Sequence, residues 1–244
     1  MAKLRVEDIS FSYDIKILDK ISFSAETGDF VSILGPSGCG KSTLLNIISG
    51  LLSSDEGQIY VDGERLSGIS PLIAYMPQDD LLMPWRTVID NVSLPLQLKR
   101  MNKSKAHAEA SKYFADFGLQ GYEYKYPKQL SGGMRQRAAF LRTVMSTAEV
   151  LLLDEPFGAL DAMTRSKMQN WLAELRVRLD RTIIRVTHNI DEAVYLSDRI
   201  YVLSDRPAHV KLDIDIKAPP SERNWEWLLT TVDIKQEIHR ALEE

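Results

Sequence analysis

Gly35, Pro36, Ser37, Gly38, Cys39, Gly40, Lys41, Ser42 and Thr43 stand together between two apolar runs, FVSIL and LLNIISG. Three glycines let successive backbone N–H groups turn inward around an anion. A helix opening at Lys41 would add its positive end. The Lys41 ammonium can reach the β- and γ-phosphates of a nucleotide, and the Ser42 hydroxyl can sit on Mg2+. The run fits G-x-x-x-x-G-K-[ST], and the strand-loop-helix setting is the one this pattern needs. A glycine-rich turn with a chance lysine does not account for both. Cys39 is expected to contribute its backbone N–H rather than redox chemistry.

A second group follows four apolar residues in VLLLDEP. A buried strand over 150–153 would deliver Asp154 to its end beside the loop, where a hard carboxylate oxygen suits Mg2+. The adjacent Glu155 is the natural group to polarise an attacking water. A third group, LSGGMRQR, is a Ser-Gly-Gly turn opening a helix. Ser131, Gly132 and Gly133 have the makings of another anion site. One phosphate loop already holds the nucleotide, so a second anion turn on the same chain needs a reason.

LSGGMRQR between a phosphate loop and LLLDEP resembles the signature of the ATP-binding cassette (ABC) family, and the resemblance covers essentially the whole chain. In that family two cassettes pair head to tail, and each signature caps the ATP held by the other's phosphate loop. The resemblance assigns further positions. Tyr13 matches the aromatic that stacks on adenine, although alone it reads as a strand aromatic. Gln78 matches the glutamine that touches Mg2+ and the attacking water. Asp161 matches the acid that crosses the dimer interface, and it is also a suitable helix N-cap. His188 matches the histidine that contacts the γ-phosphate. The family often has an aspartate after this histidine where the chain has Asn189, a departure expected to matter little.

The elements that must position these groups can be read from periodicity. KLRVEDISFSY and ISFSAE alternate as strands, and FVSILG, GQIYVDG, LIAYMPQ, EVLLLDEP, TIIRVTH and RIYVLSD read as further strands. A helix is expected from about Lys41 to Leu51, and others from about Asp161 to Arg178 and Asp191 to Leu196. Between about Asp79 and Ala148 the period turns helical, as in SKAHAEASKYFADFG and SGGMRQRAAFLRTVM. The tail SERNWEWLLTTVDIKQEIHRALEE reads as one amphipathic helix. The expected organisation is a single α/β domain over 1–244, with a core at 1–78 and 149–220, a helical subdomain at 79–148 and a C-terminal helix at 221–244. The resemblance implies a P-loop NTPase core of mixed sheet and helices, with an antiparallel β subdomain and the inserted α-helical subdomain.

Net charge is −4, so no global basic field points to nucleic acid. The single cysteine leaves no intramolecular disulfide. No apolar run approaches the ~18 residues of a spanning helix. The opening MAKLRVEDIS has no apolar leader core, and the tail beyond Pro220 is too short for the regulatory domain some import ATPases carry. The expectation is a cytosolic chain that serves a membrane by docking, peripheral on its cytoplasmic face. The docking surface is expected at DDLLMPWRT, where Leu81, Leu82, Met83 and Trp85 follow Gln78 in a loop. A loop tucked under the helical subdomain is the competing account.

A narrower resemblance lies in MPQDDLLMPWRTVIDNV, DEPFGALDAMTR and VTHNIDEAVYLSDRIYVLSDRP, which look like the ATPase subunits of nitrate/sulfonate/taurine-type importers. It implies ATP hydrolysis coupled to uptake of a small solute, with ATP and Mg2+ as cofactors. It also implies a homodimer, permease subunits and, indirectly, a periplasmic or extracellular substrate-binding protein. The alternatives are the ATPase of a two-chain exporter and a soluble ABC ATPase unlinked to transport. Repair members carry a far longer helical insert, and translation members usually carry two cassettes.

Overall fold

The computed structural model describes residues 2–158, 160–179 and 181–243. Met1, Ala159, Asp180 and Glu244, which fall within the stretches read above, lie outside the described residues. The chain opens with strands β1 (Ala2–Ser12) and β2 (Lys16–Glu26), then β3 (Phe30–Leu34) and helix α1 (Lys41–Ile48). Strands β4 (Glu56–Val61), β5 (Glu64–Arg65) and β6 (Ile73–Met76) follow. Next come helices α2 (Val88–Val92), α3 (Leu94–Leu98), α4 (Lys103–Ser111) and α5 (Gly132–Val144). Strand and helix then alternate through β7 (Val150–Asp154), α6 (Ala162–Leu179), β8 (Thr182–Val186), α7 (Ile190–Leu196), β9 (Arg199–Leu203) and β10 (Val210–Asp215). Two helices, α8 (Trp225–Thr230) and α9 (Val232–Glu243), close the fold.

The strands make two sheets. The smaller is antiparallel, ordered β2-β1-β4-β5. The larger is ordered β10-β9-β3-β8-β7-β6, with all pairs parallel except β9 with its edge strand β10. β3, β7 and β8 are buried at every position, as expected for parallel strands covered on both faces. Alternation sorts their side chains into two cores. Leu151, Leu153 and Phe30 pack with the helices and turns between β6 and β7, including Phe114, Phe117 and Phe140. Val150, Leu152, Val31 and Ile33 pack with α1 and the antiparallel sheet. A third core joins β9 to α7, α8 and α9 through Val202, Ala193, Leu228 and Ile238.

The helices start where capping side chains allow. Thr87 accepts from the Asp90 N–H, Asn102 from the Ser104 N–H and Ser131 from the Met134 N–H. SKAHAEASKYFADFG does not stay helical to its end, because α4 stops at Ser111. The next hydrogen bonds are of the i to i−3 kind, such as Tyr113 N–H to Ala110 O and Phe114 N–H to Ser111 O. These tighter turns still deliver Phe114 and Phe117 to the core. The tail is not one helix. Thr231 interrupts it, and its hydroxyl back-bonds to Leu228 O at 2.8 Å. β10 was not anticipated, although Val210, Leu212 and Ile214 alternate with exposed residues along it.

The loop after β6 divides by residue. Leu81 and Trp85 are exposed, whereas Leu82 is buried in the core formed with the helices. The expectation that all four apolar residues of this loop form a surface is therefore corrected: Leu82 anchors the loop and Met83 is half-buried. Asn91, wholly buried, accepts from the Met83 N–H at 2.7 Å and donates to the Met83, Arg86 and Thr87 carbonyls. Leu82→Ala should cost about 3 kcal/mol, the ordinary cost of a large-to-small change in a core. Trp85→Ala should change stability by no more than about 0.5 kcal/mol. Urea unfolding of the two variants measures the difference, and equal losses would contradict the division.

Candidate nucleotide site

Five parallel strands end at one edge of the larger sheet, and each delivers part of a single cleft. β3 leads to the glycine loop, β6 to Gln78, β7 to Asp154 and Glu155, β8 to His188 and β9 to a turn carrying Arg206. The cleft is open and measures about 460 Å³; Ser37, Gly38, Gly40, Lys41, Ser42, Thr43, Gln78, Asp154, Glu155, His188 and Arg206 line it. A cleft beyond the carboxyl ends of parallel strands is where open α/β sheets hold ligands.

The loop is built around its own lysine. Lys41 Nζ donates to Gly35 O at 2.8 Å and to Pro36 O at 2.7 Å. Gly40 has φ of 122°, and a Cβ there would stand 2.8 Å from Ile17 and Leu18, so only glycine fits. The Cys39 thiol lies beneath the loop, pushed up from its ordinary pKa by burial. Its backbone N–H, expected to face the anion, donates instead to Pro36 O at 3.3 Å and closes the turn. No side chain caps α1, so its first N–H groups are left to the cleft.

Asp154 ends β7 almost fully buried. Burial pushes its carboxyl up, and a hydrogen bond from the Ser42 hydroxyl opposes that shift. The Tyr75 hydroxyl also donates to Asp154 Oδ2 at 3.4 Å, and the phenol is itself pushed up, by burial first and then by the carboxylate. Ser42 and Asp154 thus bring a hydroxyl and a carboxylate together on the wall that Gln78 shares. Among the described residues no three His, Cys, Asp or Glu side chains gather as a metal cage. A few hard oxygens with room for phosphate and water suit Mg2+ rather than a fully caged ion.

Glu155 is held from three sides. Its φ is 46°, a conformation that non-glycine residues adopt only when surroundings impose it. Its carbonyl accepts from Gln136 Nε2 at 3.2 Å and from the Gly158 N–H at 3.1 Å. Its side chain meets His188, with Nδ1 3.1 Å from Oε1. Asn189 caps α7, accepting from the Glu192 N–H at 3.0 Å.

The ABC transporter family profile matches residues 18–158. The formylaminopyrimidine import ATP-binding protein ThiZ of Halalkalibacterium halodurans is 42% identical over 222 residues, spanning 90% of this chain and 86% of that protein. The aliphatic sulfonates import ATP-binding protein SsuB of Bacillus cereus is 45% identical, spanning 87% and 84%. This chain belongs to the ABC transporter family. The nitrate import ATP-binding protein NrtD of Synechocystis is 42% identical over 84% of this chain and 77% of its own length. Among solved structures, the dimeric post-hydrolysis state of an ATP-binding cassette bound to ADP and Pi superposes with TM-score 0.80 at 29% identity, covering 88% of this chain and 100% of that one. The fold is the ABC cassette, a P-loop NTPase, and the chain is an ATPase that couples hydrolysis to transport.

Not every residue singled out from the ABC resemblance reaches the cleft. Ser131, Gly132, Gly133, Asp161 and Tyr13 are not among its lining residues. Ser131 is exposed and caps α5. Asp161 is exposed and accepts from the Thr164 N–H at 3.0 Å, which holds its carboxyl below the usual range. Tyr13 is 62% exposed, edge-on to Phe11 at 4.8 Å between ring centres.

Sequence reasoning missed the residues that join the parts of this ABC ATPase. Arg142 of α5 donates to Leu81 O at 2.7 Å and Asp80 O at 2.8 Å, and Arg135 pairs with Asp80 at 2.9 Å. The helix that opens at Ser131 therefore holds the loop that follows Gln78. Arginines on a helix reaching backbone carbonyls leave no sequence pattern to find. Asn189→Ala should cost about 1 kcal/mol by loss of the cap, while Asn189→Asp should be neutral, since aspartate caps equally well. Urea unfolding of both variants checks this.

Proposed function

We propose that this ABC ATPase powers import of a small solute, working as a homodimer in which each chain's signature turn completes its partner's nucleotide site. The carrying observation is the separation of two anion-binding halves within one chain. Lys41, Ser42, Asp154, Glu155 and His188 share a cleft, while Ser131, Gly132 and Gly133 stand outside it. Two copies placed head to tail give the second half a use. The dimeric state of the solved cassettes at TM-scores of 0.80 and 0.81 supports the pairing. The import names of the relatives support uptake, and sulfonate, nitrate and formylaminopyrimidine mark the range of cargo, a small anion or neutral nutrient precursor.

Each residue then has a task. Lys41 and the first N–H groups of α1 bind the phosphate chain. Ser42, Gln78 and Asp154 would hold Mg2+, which supplies charge neutralisation at the phosphates. Glu155 polarises the attacking water and His188 orients that carboxylate while facing the γ-phosphate. Tyr13 stacks on adenine, and Gly35, Pro36, Ser37, Gly38, Cys39, Gly40 and Thr43 shape the pocket. Ser131, Gly132, Gly133 and Asp161 serve the partner's site.

The chain acts as one ABC domain, with 79–148 the helical subdomain beside the core. It docks on permease subunits through Leu81, Met83 and Trp85 at the cytoplasmic face of the membrane, and a substrate-binding protein delivers cargo from the other side. Among the described residues no helix is long and apolar enough to cross a membrane.

Lys41→Ala should abolish measurable ATP binding, and Glu155→Gln should keep binding while hydrolysis falls at least about 100-fold. Titration with ATP·Mg2+ and phosphate-release assays decide; near-normal turnover in Glu155→Gln would pass the water-activating task to another residue. Ser131→Arg should leave ATP binding by the monomer intact and abolish ATP-driven dimerisation, because the cation would block closure at the partner's site. Size-exclusion chromatography with ATP, using Glu155→Gln as background, measures it. A dimer that still forms would remove the head-to-tail arrangement.

A further inference from the structure

Arg206 lies in the stretch VTHNIDEAVYLSDRIYVLSDRP but has no role assigned above, and it lines the nucleotide cleft with Lys41 and Asp154. It sits in the turn between β9 and β10, and that turn is stiff. Ser204 Oγ donates to Asp205 O at 2.8 Å and accepts from the His209 N–H at 3.0 Å. Ala208 donates to Ile17 O at 2.8 Å and accepts from the Asp19 N–H at 2.8 Å. Ile17 and Asp19 lie on β2, just beyond the hairpin turn that carries Tyr13. The turn at 204–209 therefore spans from the arm bearing the aromatic to the phosphate loop.

Across that span Arg206 Nε donates to the carbonyl of Gly38. Its Nη2 lies 3.5 Å from where a Cβ on Gly38 would stand, so the guanidinium packs against the loop. Gly38 has φ of 79°, a left-handed conformation. Among the described residues Arg206 forms no ion pair with a carboxylate, and a backbone carbonyl uses one of its five donors. An exposed cation with donors to spare is thus parked on the loop that the cleft's ligand must approach.

We propose that Arg206 is a further nucleotide-binding residue, its guanidinium engaging the anionic phosphate chain from the β9–β10 turn. The inference rests on the cleft being the nucleotide site. Guanidinium is suited to phosphate by its planar set of donors and permanent charge. The turn's hydrogen bonds fix the backbone from which the guanidinium reaches, and its bond to Gly38 O already restrains the side chain, which lowers the freedom lost on binding. Charge carries most of the effect and the planar donors a smaller share, so the gain depends on phosphate and is absent for adenosine.

The test titrates the full chain with ATP, ADP and adenosine in Mg2+ buffer, for the wild type and for Arg206→Ala, Arg206→Gln and Arg206→Lys. Glutamine can keep the hydrogen bond to Gly38 without the charge, and lysine keeps the charge. The expected result is about tenfold weaker binding of ATP and ADP by the alanine and glutamine variants, with lysine recovering most of the loss and adenosine unaffected. Melting curves should coincide, since the side chain is exposed. ATP affinity within about twofold of wild type in the glutamine variant overturns the proposal, as does recovery by glutamine but not lysine. If the wild type itself binds no ATP, the nucleotide-site reading falls and this inference with it. That result is distinct from wild-type binding that the variants share.

Discussion

Parallel pairing sets the geometry on which the other features depend. Phe30 pairs with Ile183, Val150 with Thr182 and Ile73 with Val150, so β3, β8, β7 and β6 run the same way and stop at one edge. β8 lies between β3 and β7, which places the phosphate loop and Asp154 two strand spacings apart, about 10 Å. That gap suits a phosphate chain with a hydrated cation. α1 starts at the edge and leans across it, which is how the Ser42 hydroxyl comes to meet a carboxylate from two strands away. An antiparallel sheet would send alternate ends to opposite edges and scatter the same residues.

Gathering charges this way has a cost that the ligand offsets. Asp154 and Glu155 are consecutive, and the charge on Glu155 adds to burial in pushing the Asp154 carboxyl up. Glu155 also holds an unfavourable backbone angle. On the other side Lys41 satisfies its ammonium with carbonyls of its own loop. A polyanion in the cleft would bring the negative charge that Lys41 lacks, and a cation bound with it would bring positive charge to the carboxylates. The strands beneath are mostly apolar, with Arg185 of β8, wholly buried and paired with Glu192, the main exception.

Much of this was legible in the sequence because the chemistry is local there. The glycine loop, LLLDEP and the Ser-Gly-Gly turn are contiguous stretches whose residue types state their use, and β3 and β7 announce themselves as nearly continuous apolar runs. What stayed hidden depends on contacts distant in sequence. Gln136 meets Glu155 across 19 residues, Arg142 meets Asp80 across 62 and Arg206 meets Gly38 across 168. Leu82 reads like its neighbour Leu81, and only the packing under the helices separates a buried anchor from an exposed side chain. The break at Thr231 is equally silent, because the apolar spacing of the tail continues across it.

The loop from Asp80 to Thr87 is held largely by its main chain. Arg142 reaches the carbonyls of Asp80 and Leu81, and Asn91 takes both backbone groups of Met83 and the carbonyls of Arg86 and Thr87. A segment gripped by its carbonyls keeps its path whatever side chains it displays. Pro84 and Trp85 are therefore interchangeable in a way that Leu82 and Asn91 are not, while Leu81, at a φ of 42°, is restricted by its backbone rather than by packing. Descent can rewrite the outward lettering of this loop, and a protein engineer can graft new side chains onto it, without retuning the ATPase behind it.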